Sequence, residues 1–108
     1  MKANMKKLLT RKKLDRWLLN NYKYGIDKKL NVEAVKKQFE LIEELKEYIC
    51  NEFEKRFFIE VYYFKTNYKE TCKIFNINLS KYYKIRNNIL DQLIILLSYQ
   101  QEDFINER

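Results

Sequence analysis

The chain has 108 residues, no histidine, no proline, a single glycine and a formal net charge of +7. That length sets one domain with a modest core. The near absence of helix breakers beside abundant Lys, Glu and Leu sets an all-α chain, and no uncharged apolar run approaches the roughly 18 residues of a membrane span.

The charge is unevenly placed. Residues 1–37 carry 12 Lys/Arg against 3 acids, residues 38–70 carry 5 against 8, and residues 71–99 carry 4 against 1. Two basic zones separated by an acidic helix point to a polyanion partner, with the acidic face turned elsewhere. The opening MKANMKKLLTRKK is basic but has no apolar stretch behind it, so no secretory signal and a cytoplasmic location are expected. Cys50 and Cys72 fall on apolar helical positions and are expected to be buried free thiols.

Thr10 is placed to cap a first helix in which Leu14, Trp17, Leu18 and Tyr22 share one face, with Gly25 as its stop. Lys12, Lys13, Arg16 and Lys23 fall mostly off that face and are candidates for phosphate contact; a solvated face, or an arm near an anionic membrane, is the other reading. Asn31 is placed to cap a second helix, with Val35, Phe39, Ile42, Leu45 or Lys46, and Ile49 inward. Glu40, Glu43, Glu44 and Glu47 fall on its other side. A carboxylate row of this kind can in principle hold a cation or do acid–base work. With no histidine, no Asp-rich loop and no pocket-forming glycines, neither a metal, a cofactor nor catalysis is expected. A solvated or partner-facing acidic surface is expected instead.

From Glu52 to Lys65 the pattern EFEKRFFIEVYYFK sets Phe53, Phe57, Val61 and Phe64 along one side, widened by Phe58 and Tyr62. Rings clustered at helical spacing read as core rather than as a base-stacking platform, which needs exposed rings interleaved with cations. Asn51 is the one soft break before this helix, and Thr66 and Asn67 end it.

Tyr68 to Asn87, YKETCKIFNINLSKYYKIRN, reads as two helices with a tight turn. Asn76 tolerates the left-handed corner and Asn78 is placed as the second helix's N-cap. Thr71, Phe75, Ile77, Tyr82 and Ile85 fill the positions that lock two helices at a steep angle, and Cys72 supplies a small residue where they cross. Leu79, Tyr82 and Ile85 are expected on the buried face of the second helix. The outward set is Asn78, Ser80, Lys81, Tyr83, Lys84 and Asn87, donors and aromatics suited to DNA. Arg86 either reaches phosphate or braces an acidic neighbour. Beyond Asn87 the apolar residues Ile89 to Leu97 cover more than one ordinary face, so a homodimer through that region is expected.

The aromatic helix followed by YKETCKIFNINLSKYYKIRNNILDQL resembles a sigma-factor region-4-type helix-turn-helix, and is similar in particular to small phage late-transcription regulators of the ArpU and RinA type. The resemblance covers roughly residues 52–97 and rests on Tyr68, Glu70, Cys72, Phe75, Ile77, Ser80, Tyr82, Tyr83, Arg86 and Leu93. Thr71-Cys72 stand where Ile-Ala is usual, and Asn76 where Gly is common. The resemblance implies a sequence-specific activator of phage or mobile-element genes, acting on double-stranded DNA in a bacterial host, with RNA polymerase as a candidate further partner. The alternative is a protein-binding module that captures a transcription factor or polymerase subunit and has no DNA target of its own.

Overall fold

The computed structural model describes the backbone of residues 10–106 and the side chains of residues 10–100. It is all-helical: α1 (Arg11–Ile26), α2 (Glu33–Ile49), α3 (Glu52–Phe58) running on into a π-helical turn (Ile59–Tyr63), α4 (Tyr68–Phe75) and α5 (Leu79–Asn106). The π turn packs on α1 and α4, while α5 runs past α1, α2, α3 and α4. The core between them is built on Leu14, Leu18, Tyr22, Ile42, Phe57, Phe58, Tyr62, Tyr82 and Leu93. Among the described residues no helix is long and apolar enough to cross a membrane.

Side-chain caps set most of the boundaries. Thr10 Oγ1 accepts from the Lys13 backbone N–H at 3.3 Å. Asn51 is a full break: its side chain accepts from the Glu54 N–H at 2.8 Å while Glu54 accepts from the Asn51 N–H at 3.0 Å. That reciprocal box satisfies two donors which a helix start leaves open. Asn67 starts α4 by accepting from the Glu70 N–H at 2.9 Å. The expected cap at Asn31 lies one residue early. Val32 holds the N-cap position, without a side-chain bond.

Two further expectations need correcting. Gly25 does not stop α1, which continues to Ile26; the left-handed residue comes later, at Lys28 with φ 59°. Gly25 is small because Phe39 lies against it, and a Cβ there would meet three ring carbons at 2.3–2.6 Å. The stripe Phe53, Phe57, Val61 does not extend to Phe64, which is 63% exposed. The reason is the π turn, in which the Phe64 N–H reaches the Ile59 carbonyl at 3.1 Å. One extra residue in that turn rotates everything after it off the α-helical stripe.

The inner side of α2 carries a charge. Lys46 is 2% exposed, and its Nζ donates to Glu43 at 3.2 Å and to the Tyr22 hydroxyl at 3.2 Å, with Glu47 at 2.9 Å. Tyr22 in turn donates to Glu43 at 2.7 Å. Half of the acidic row is therefore spent holding a buried ammonium, which must be paired to be tolerated. Glu40 and Glu44 stay exposed.

Burial raises the Cys50 thiol to about 11, and burial pushes the Tyr22 and Tyr62 hydroxyls well above the usual tyrosine range. All three groups hold their protons more tightly folded than unfolded. Their stabilisation is complete below the unfolded pKa values and is lost as pH rises through the folded ones. Thermal unfolding followed from pH 7 to 11 should show the melting temperature falling steadily above pH 9. A flat profile over that range would contradict the burial of these groups.

Candidate nucleic-acid interface

The corner between α4 and α5 is built as the sequence suggests. Asn76 sits in the left-handed region at φ 55°, ψ 52°, a conformation that a short amide side chain tolerates. The Ile77 N–H closes back on the Cys72 carbonyl at 3.0 Å. The Asn78 side-chain oxygen Oδ1 accepts from the Lys81 N–H at 2.8 Å, which starts α5 and occupies that oxygen. Inside the corner Thr71 is fully buried and its hydroxyl donates to the Asn67 carbonyl at 2.9 Å. Phe75 packs on Phe53 and Phe57, and Tyr82 on Phe57. Cys72, Ile77 and Ile85 are half-buried around them, and both cysteines are free thiols.

Most of the outward set is outward. Asn78, Ser80, Lys81, Tyr83 and Lys84 are exposed and Asn87 is half-buried. Leu79, expected on the buried face, is 45% exposed. It is the first residue of α5, one turn short of the core. Arg86 is not outward. Its guanidinium forks onto both carboxylate oxygens of Asp15, at 2.8 and 2.9 Å, and donates to the Tyr82 hydroxyl at 2.6 Å. Tyr62 donates to the same Asp15 carboxylate. Arg86 thus braces an acidic neighbour and ties α5 to α1, which removes it from the exposed cations.

That tie also places α1. Leu19 shares a shallow cleft with Tyr82, Tyr83 and Arg86. α1 runs antiparallel to α5, with Arg11 paired to Asp91 at 2.8 Å, so Arg16 and Lys12, three and seven residues before Leu19 on its face of α1, lie progressively further from the start of α5. Both are exposed. Lys13, also exposed, lies round the helix, off the Leu19 spacing.

Three cations were not among the sequence candidates. Lys65, Lys69 and Lys73 are exposed beside the corner, and Lys69 and Lys73, four residues apart, share one face of α4. The signal was legible, since both fall opposite Thr71 and Phe75. From Lys65 to Asn88 the exposed charges are five lysines and a single acid, Glu70, and that concentrates positive potential on one end of the molecule.

The dimer expectation rested on apolar residues needing a second cover. Ile89, Leu90, Leu93 and Leu97 are instead buried within the chain, where α1 and α2 pack on α5. No second copy is required to cover them, and Ile95 is the one residue of that run left exposed.

Comparison of the chain with protein-family models, with curated proteins and with solved structures gave no match.

Proposed function

We propose that the chain is a sequence-specific DNA-binding transcriptional regulator of the phage or mobile-element kind, an activator of late genes, with α4 and α5 as its helix-turn-helix. The observation that carries the reading is the α4–α5 corner itself. A left-handed Asn76 and a capping Asn78 start a helix whose first turns present Ser80, Lys81, Tyr83 and Lys84 to solvent. In this reading the start of α5 enters the major groove. Lys81 and Lys84 donate to guanine O6/N7 or to phosphates, and Asn87 faces adenine. Arg16 and, further out, Lys12 of α1, with Lys65, Lys69 and Lys73, lie on the backbone to either side, where they fix orientation and add affinity without reading sequence. The resemblance of residues 52–97 to late-transcription regulators supports the activator role.

A second reading is a protein-binding module that captures an RNA polymerase subunit or transcription factor. It is favoured by the far end of α2, where Tyr48 is 81% exposed beside the exposed acids Glu44 and Glu47. Fluorescence anisotropy with labelled duplexes at moderate salt, with heparin as competitor, separates the two. The DNA reading expects one duplex sequence to resist heparin displacement far better than others. Equal displacement from every duplex favours the protein-binding module.

A further inference from the structure

A cleft lies beside the exposed start of α5. Tyr68, the first residue of α4, and Tyr83 of α5 line the same cleft of about 180 Å³. Both are substantially open to solvent, at 42% and 46%. The Tyr83 ring is held edge-on against buried Tyr82, with ring centres 5.1 Å apart. Aliphatic Leu19 and Val61 complete the apolar lining.

The charges in the cleft narrow its ligand. The Arg86 guanidinium is neutralised by its two-pronged pairing with Asp15, so Lys65 is the unneutralised cation among the described lining residues. Lys65 is held at φ 55°, a backbone region that disfavours a residue with a Cβ. The conformation is locked from both sides. The Phe64 N–H is bonded to the Ile59 carbonyl, and the Thr66 N–H to the Glu60 carbonyl at 3.1 Å. That fixed backbone sets the point from which the Lys65 side chain leaves the wall of the cleft. The lining joins the Tyr68 and Tyr83 rings and aliphatic carbon with the polar Thr66 and Asn67 and one cation, which suits an aromatic ring with polar edges better than a bare phosphate. Pockets for whole small molecules run to roughly 300–1,000 Å³. The cleft is smaller and suits one flat ring system.

We infer that the cleft seats a single nucleobase displaced from the DNA stack, against the rings of Tyr68 and Tyr83, with Lys65 meeting the phosphate of that nucleotide. The inference rests on the DNA-binding reading and adds to it a preference for locally unpaired DNA. Exposed aromatic rings stack on any base. The cost of lifting a base out is smallest where it is already unpaired, so a bulge should bind better than the intact duplex.

The test compares a fluorescent 20-base-pair duplex with the same duplex carrying one unpaired thymine, by anisotropy at low salt. The bulged duplex should bind about tenfold more tightly, in line with a single base–aromatic stack. Tyr68→Ala and Tyr83→Ala should each bring that ratio close to one, with folding checked by circular dichroism. Lys65→Asn keeps a residue that tolerates the left-handed region and should weaken the bulged duplex more than the intact one. Equal affinity of the unaltered protein for the two DNAs would overturn the inference and leave the DNA-binding reading standing. A bulge preference that survives both tyrosine changes would place the unpaired base elsewhere and also overturn it. Failure to bind either DNA would defeat both.

Discussion

Replacing Arg86 by alanine should destabilise the protein by about 2–4 kcal/mol, below or within the roughly 3–5 kcal/mol that breaking a fully buried pair costs. The discount reflects partial exposure, since the two side chains are 17% and 26% accessible. The loss comes from stranding Asp15, which among the described residues would keep only the Tyr62 hydroxyl as partner. Asp15→Ala should cost a similar amount by leaving the guanidinium unpaired. Because the two residues share one interaction, the double substitution should cost clearly less than the sum of the singles. Urea unfolding of the four proteins measures this directly. Fully additive losses would mean that the α1–α5 tie is not what Arg86 provides.

Lys84→Ala should behave in the opposite way, leaving the fold intact and changing DNA recognition. If Lys84 donates to a base edge, its removal should cost about 1–3 kcal/mol of binding and relax the preference at one position of the site. Lys12→Ala, on α1 away from the start of α5, should weaken all sequences alike and flatten the slope of log affinity against log salt by about one unit. Gel shifts of both variants with several duplexes, across a range of salt, separate the roles. Identical behaviour of the two would defeat the division between base reading and backbone contact.

The contrast between Arg86 and Lys84 shows what local pattern carries and what it cannot. Both are cations on the same stretch, two residues apart. Their fates differ because two steps of about 100° each set them on nearly opposite sides of the helix, and Arg86 is the one turned toward Asp15, which is 71 residues away in sequence. Helical spacing made Leu14, Leu18, Tyr22, Phe57 and Tyr82 legible as core, and side-chain chemistry made Asn76 and Asn78 legible as a corner. The π turn was hidden because nothing in IEVYY distinguishes it from an α-helix, and so Phe64 was placed on the wrong side. Gly25 carried the ordinary signature of a helix stop, while its real constraint is the Phe39 ring from another helix. Spacing alone does not choose between Leu45 and Lys46 as the inward residue, because it takes Tyr22, Glu43 and Glu47 together to make the burial of Lys46 tolerable. The cleft beside Tyr68 was not legible at all. It is assembled from α1, the segment after the π turn, α4 and α5, which periodicity treats separately.

Sequence recovery from a randomised duplex pool, using the purified chain, tests the DNA-reading claim most directly. A helix that reads base edges from Lys81 and Lys84 should enrich a defined short motif, which then competes for binding far better than its scrambled form. Recovery of no motif, with affinity set by salt and DNA length alone, would contradict sequence-specific reading by α5.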